Sequence, residues 1–375
     1  MQIPNRSLKL NLSNRRKNLH LLSLKPNLHN LAESLLTSDH YQPCQPLKGN
    51  GIMKKLITFI ALLLGFSSSY SFAAESLVMA TGAAKKGYSK IFKNINDVCN
   101  TTVPLTELNT TGGVDNVGEL AAKRAHLGLV QVDVFQSMTT TDDAIARLKA
   151  VMLLNSNMLH IVVNSAGYQT QTGERCTGRE AFGKCITGEK VPVMQTTVIS
   201  KVEQLKGLPV AAVGSAQVLA RRYFNTKLSY GLNILDVEKD ADAFAKLKSG
   251  EVRAVLTMAA YPHGPIEALK ASDGLTLLNS DLQPSGVYKV AKKNYKNLGV
   301  YGYQFLTAPN LLVARPVDPN GEIGQKITSL KTCIADNLSK LQEGSEYEPS
   351  WSDAATLAVP DDLPSWSGVG TSKKK

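Results

Sequence analysis

From residue 76 onward, short apolar runs alternate with stretches whose apolar residues recur every three or four positions, the signatures of strands and amphipathic helices. "SLVMATG" (76–82) reads as a buried strand ending in a polar-glycine turn, and Tyr88, Ile91, Phe92, Ile95 and Val98 follow at helical spacing. Val114, Val117, Ala121 and Ala125 repeat that spacing after Gly112-Gly113, and "LGLVQV" (127–132) is the next strand. "KAVMLLN" (149–155) and "MLHIVVN" (158–164) give two more. Residues 165–200, rich in Gly, Thr and Lys, break the pattern and read as an insertion at a domain boundary. A second block then repeats it. "LKGLPVAAVGSAQ" (205–217) is a strand and small-residue turn into a helix over 218–224, and "NILDV" (233–237) is a strand. "DADAFAKLKSG" is a helix with Asp240 as N-cap, and "VRAVLTM" (252–258) is a strand entering the "AAYPHGP" turn. "YQFLTAPNLLVARP" (303–316) is a late strand, "GQKITSLKTCIADNLSKL" a helix, and the end a loose, charged tail.

Strands separated by helices imply parallel βαβ units. Two such blocks, with a strand and helix returning at the end, predict two α/β lobes joined by two crossover strands near 160–165 and 304–312. The first lobe is assigned residues 74–164 and 307–350, and the second 165–306 including the insertion. Residues 351–375 form the tail.

"MKKLITFIALLLGFSSSYSFAAES" (53–76) has two lysines, an apolar run too short to span a bilayer and small residues before Ala73. It reads as a secretory signal peptide over 53–73. Residues 1–52 are read as a non-native or disordered leader, with Met53 the start. Of the net charge of +11, nine Lys/Arg against two acids (+7) precede residue 74, which leaves +4 for the remainder. A body so nearly balanced gives no reason to invoke nucleic acid or an anionic membrane. Four cysteines remain after cleavage, and an even count in an oxidising compartment favours disulfides. Cys176 and Cys185 flank the turn-like "TGREAFGK" and pair locally, a closure that contributes about 2.5–3 kcal/mol in the loop-entropy model. Cys99 and Cys333 then tie the first helix to a C-terminal one. No CxxC or paired-His spacing points to a metal.

Ligands of parallel α/β sheets bind beyond the carboxyl ends of strands, where helix N-termini offer unpaired N–H groups. Four turns qualify: Thr81-Gly82-Ala83, Thr111-Gly112-Gly113, Gln131-Val132-Asp133 and Gly214-Ser215-Ala216-Gln217, with "MAAYP" (258–262) a fifth. Caps alone explain such turns individually. Their recurrence at one topological place in two lobes is what points to a cleft. Against an enzyme stands the absence of Gly-x-Ser-x-Gly, HExxH, P-loop or paired-carboxylate patterns. Among the histidines, His126 ends a basic helix and is expected to face solvent, His160 to be a satisfied core residue, and His263 to lie near the cleft. Lys85 and Lys86 read as a solvated helix face.

From Ser76 to about Pro349 the chain resembles the TAXI family of solute-binding proteins, which serve tripartite ATP-independent periplasmic (TRAP) transporters. The residues that carry this are "MATGAAKKGY", "TTGGVDNVGELAAKRAHLGLVQVDV", "LKGLPVAAVGSAQ" and "AFAKLKSGEVRAVLTMAAYPHGPI". The resemblance implies a periplasmic-binding-protein type II fold, no cofactor, and a monomeric receptor that delivers a small carboxylate or amino acid to the TRAP membrane subunits. It places the pocket at Thr81, Gly82, Tyr88, Thr111, Gly112, Gly113, Gln131, Asp133, Ser215, Ala216, Gln217 and Tyr261. The sequence departs from the family in Ala83 of the first turn, in Ala216 and Gln217 of the second-lobe turn, and in the Cys176–Cys185 insertion. A periplasmic ligand sensor and a receptor for an ABC-type transporter are the alternatives within the same fold. Asp133 favours a zwitterion over a dicarboxylate, because a carboxylate there repels another and attracts an ammonium.

Overall fold

The computed structural model describes residues 75–354 and 359–367; the leader and signal peptide predicted for 1–73 lie outside them. Three short strands and two helices build the first lobe's core. Strands β1 (Leu77–Ala80), β2 (Leu105–Leu108) and β3 (Leu127–Gln131) are parallel, with β1 between the other two. The helix Gly87–Cys99 lies against them with Ile91, Phe92, Ile95 and Cys99 buried, as the spacing predicts. Burying each of the three large side chains contributes about 1.5–3 kcal/mol. In the helix Gly113–Ala121, Val117 and Leu120 face inward, but Val114 in its first turn is 53% exposed.

Strand β4 (Lys149–Asn164) is one element of sixteen residues where the sequence suggested two strands. No Gly or Pro interrupts it, and the polar residues Asn155, Ser156 and Asn157 continue the extended backbone from one lobe into the other. After it, β5 (Tyr168–Cys176) and β8 (Lys190–Thr197) pair as an antiparallel arm whose tip carries the short β6 (Glu180–Ala181) and β7 (Lys184–Cys185). This is the insertion, and the Cys176–Cys185 disulfide is formed at its tip.

The second lobe repeats the parallel plan with β9 (Pro209–Val213) between β10 (Asn233–Val237) and β11 (Ala254–Ala259). Strands β12 (Leu275–Leu277) and β13 (Lys289–Tyr295) add to it, and β14 (Val300–Ala314) returns to the first lobe. One twisted sheet results, in the order β10-β9-β11-β4-β14-β3-β1-β2, with β12 on β4 and β13 on β14. The antiparallel pair β4–β14 is its centre. Residues 158–163 of β4 also pair with β11, whereas 310–314 of β14 also pair with β3, so both strands cross between lobes. Pro309, which has no N–H to give the ladder, sits at a register shift in the crossing.

The Cys99–Cys333 disulfide joins the first helix to the helix Glu322–Asp336. The C-terminal segment is docked where the sequence suggested a loose tail. Trp351 is fully buried, Leu363 and Trp366 nearly so, and the Trp366 N–H donates to Ala150 O. Large apolar side chains spaced through a charged stretch supply the anchors. His126 also differs from expectation: it is buried, and its Nδ1 accepts the Val78 N–H at 3.0 Å, filling a place in the ladder beside β1.

Candidate functional site

Strand β3 ends at Gln131 and the helix Val132–Thr139 begins at the next residue. Asp133 therefore falls in a first turn, where the helix dipole favours a carboxylate. Both side chains are buried, at 0% and 3% exposure. Gln131 Nε2 donates to Asp133 Oδ1 at 2.6 Å, and the Val134 N–H donates to the same oxygen at 2.9 Å. Two contacts come from the second lobe: the Tyr288 hydroxyl donates to Asp133 Oδ2 at 2.9 Å, and Ser215 Oγ donates to Gln131 Oε1 at 3.2 Å.

The crossover strands complete the network. Asn157 Nδ2 donates to Gln131 Oε1 at 3.1 Å, and Asn310 Nδ2 donates to Asn157 Oδ1 (3.1 Å) and Asn155 Oδ1 (3.2 Å). The Tyr88 hydroxyl donates to Asn310 Oδ1 at 3.0 Å, and Asn155 Nδ2 to Ser350 Oγ at 3.0 Å. A chain of side-chain hydrogen bonds thus joins the first lobe, both crossovers, the second lobe and the C-terminal segment. Burial pushes the Asp133 carboxyl up, opposed by the hydrogen bonds from Gln131 and Tyr288, and no cation contributes to holding it ionised. Burial first, and Asp133 second, push the phenols of Tyr88 and Tyr288 up, so both remain neutral donors.

Of the residues singled out in the sequence, Tyr88, Gln131, Asp133 and Ser215 meet in this network. Gly82 is its neighbour: a Cβ there would stand 3.6 Å from that of Tyr88. Thr81 is buried beside it but turns its hydroxyl to Glu107 Oε1, at 2.8 Å. Thr111 is exposed and bonds Asp115, while Gly112 takes φ 143°, a backbone that favours glycine, and Gly113 packs on Val130. In the second lobe Ala216 is buried in the core, and Gln217 Nε2 donates to Val237 O at 3.5 Å. Tyr261 stands apart, donating to Asn294 O at 2.9 Å and packing on Tyr295. Tyr288, Asn155, Asn157 and Asn310 were missed. The asparagines carried a signal, as polar residues inside apolar strands; Tyr288, in an irregular stretch, carried none.

A second buried polar cluster lies within the second lobe. His160 is fully buried, with Nε2 2.7 Å from the Tyr295 hydroxyl, which also accepts the His263 N–H at 3.0 Å. Burial, then the neighbouring His263, pushes the His160 imidazole down to about 3. Asp240 is not the N-cap of its helix; Lys239 is, and Asp240 Oδ2 instead lies 3.3 Å from His263 Nε2. Burial pushes the Asp240 carboxyl up, but the facing imidazoles outweigh it and leave it below the usual range. Among the described residues, no group of three His, Cys, Asp or Glu is placed to hold a metal.

A cavity of about 900 Å³ is lined by Gln136, by Leu153 and Pro309 of the crossover strands, by Val287 and Lys289, and by the C-terminal segment around Ser352 and Val359. Gln136 is one helical turn beyond Asp133, and Val287 and Lys289 flank Tyr288, so the cavity adjoins the network.

No protein family matches the sequence, and no curated protein does. Solved structures similar in shape include the substrate-binding protein of an amino acid ABC transporter (12% identity, 74% of this chain and 97% of that one, TM-score 0.42). Another is an ancestral arginine-binding protein bound to arginine (14%, 74% and 96%, 0.43). A third is the arginine-, lysine-, histidine-binding protein ArtJ of Geobacillus stearothermophilus (15%, 73% and 97%, 0.42). The chain's own topology, two α/β lobes whose parallel strands run into helices and which are joined by two antiparallel crossovers, is that of a type II periplasmic-binding-protein fold.

Proposed function

We propose that this chain is a periplasmic solute-binding protein that closes its two lobes around a small zwitterion, an amino acid or a close relative. The observation that carries this reading is Asp133: a buried carboxylate between lobes, held by donors from both and paired with no cation among the described residues. A buried carboxylate without a counter-charge is costly unless hydrogen-bonded, and an ammonium is the partner that relieves the cost most. Gln131, Tyr88 and Asn157 supply neutral donors and acceptors around it. Thr111 and Gly113 in one lobe and Ser215 and Ala216 in the other offer backbone N–H groups to the solute's carboxylate, whereas the N–H groups of Gly112 and Gln217 are bonded to Thr110 Oγ1 and Gly214 O. Two rigid lobes on two crossover strands suit hinge closure. The resemblance of the turn sequences to the TAXI family makes TRAP membrane subunits the recipient, with export by the 53–73 segment and action as a monomer.

The test is thermal unfolding of residues 74–375, refolded to free them of carried-over solute, against amino acids, mono- and dicarboxylates, sulfonates and sugars. A solute at a hundred times its Kd adds about 2.7 kcal/mol, a rise of roughly 5 °C for a chain of this size. The reading predicts that the largest shift comes from an amino acid. Shifts confined to sugars or dicarboxylates would refute it.

A further inference from the structure

Asp133 has two oxygens, and the protein occupies both. Oδ1 takes Gln131 Nε2 and the Val134 N–H, both from the lobe that carries Asp133. Oδ2 takes the Tyr288 hydroxyl, which comes from the other lobe. A solute group that is to reach this carboxylate must displace one of these donors. Gln131 and Val134 move with Asp133 as a rigid unit, whereas Tyr288 leaves whenever the lobes part. The Tyr288 ring is seated in second-lobe core, with the Tyr223 ring 4.9 Å away edge-on, so the hydroxyl is aimed by packing. Ser215 Oγ to Gln131 Oε1 is a second contact between the same two lobes, at the amide that orients Asp133.

We propose that the Tyr288 hydroxyl is an internal stand-in for the solute's donor group: it latches the lobes onto Asp133 and competes for the oxygen the solute needs. This rests on the reading of Asp133 as the solute's anchor. The latch then sets specificity, because only a group that donates to a carboxylate more strongly than a phenol can replace it. Charge-assisted N–H donors do; neutral hydroxyls do not. An ammonium-bearing solute gains entry and a sugar hydroxyl does not.

Small-angle X-ray scattering of refolded protein without added solute tests the latch. Tyr288→Phe keeps the ring and its packing on Tyr223 but removes the donor, and Tyr288→Phe with Ser215→Ala removes both of these hydrogen bonds between the lobes. The radius of gyration should rise from wild type to the single to the double variant, with circular dichroism unchanged. Equal radii in all three would overturn the latch. This readout uses no solute, so it stands whether or not an amino acid shifts the wild-type unfolding curve. With the amino acid that does, Tyr288→Phe should bind about three- to tenfold tighter, the equivalent of one hydrogen bond released from competition. Weaker binding would make Tyr288 a direct solute contact and end the proposal.

Discussion

Two buried polar clusters, each with a carboxylate, tyrosine hydroxyls and amide or imidazole groups, sit in one protein and differ in how they are held. His160, Tyr295, His263 and Asp240 lie inside a single lobe, and buried His160 Nδ1 and Asp240 Oδ1 have no hydrogen-bond partner among the described residues. The Gln131–Asp133 cluster has its carboxylate fully engaged, but Tyr288 and Ser215 reach it from across the cleft. A cluster inside one lobe is fixed by folding and contributes to stability alone. A cluster assembled by two lobes exists only when they meet, and its energy is available to closure and binding. Geometry of attachment, rather than residue type, separates a structural cluster from a functional one.

Acid should divide the two most strongly. His160 has its folded value depressed to about 3 against an ordinary 6.5, so its contribution is complete above pH 6.5 and is lost as pH falls toward 3. A shift of that size corresponds to on the order of 3–5 kcal/mol over the window. Asp133 has its folded value raised, so its contribution has the opposite sign: present at low pH, lost as pH rises through the folded value. Denaturant midpoints between pH 7 and pH 4 should fall less in His160→Gln than in wild type and more in Asp133→Asn. Parallel pH profiles for all three proteins would remove the distinction.

Tyr295→Phe comes next. It leaves His160 Nε2 and the His263 N–H without a partner, which costs about 2–4 kcal/mol of unfolding free energy. Solute affinity should stay within twofold, since nothing in this cluster touches the other lobe; a large loss of affinity would show that the two clusters communicate. Gln131→Ala should do the reverse. It strips Asp133 Oδ1, Asn157 and Ser215 of a partner, and is expected to weaken solute binding by about tenfold, or 1.4 kcal/mol, read by calorimetry. Ser215→Ala is the smallest, roughly 0.5–1 kcal/mol for one neutral hydrogen bond, and should appear in solute affinity rather than in denaturant stability.

Periodicity located the lobes because the central strands β1, β3, β4, β9, β11 and β14 are apolar runs and the helix after β1 has an apolar stripe in Ile91, Phe92 and Ile95, whereas β2 (LTEL) and β13 (KVAKKNY) carry no such run. The same signal could not show that 149–164 is one strand, since a polar trio within an apolar run looks like a turn until both ends are seen to pair with β14. At the site, Gln131 and Asp133 were legible because they end a strand and open a helix. Tyr288 was not, because it is 155 residues from its partner and lies in a stretch without period. Tyr261, a pocket residue by the family resemblance, donates its hydroxyl to Asn294 O.

The central claim is that Asp133 anchors the ammonium of a zwitterionic solute. Calorimetric titration of wild type and Asp133→Asn with the amino acid giving the largest thermal shift, and with the oxo acid that keeps its carboxylate but lacks its amino group, tests this directly. The claim predicts that Asp133→Asn loses at least about tenfold in affinity for the amino acid, or 1.4 kcal/mol, and little for the oxo acid. Equal losses for both would contradict it.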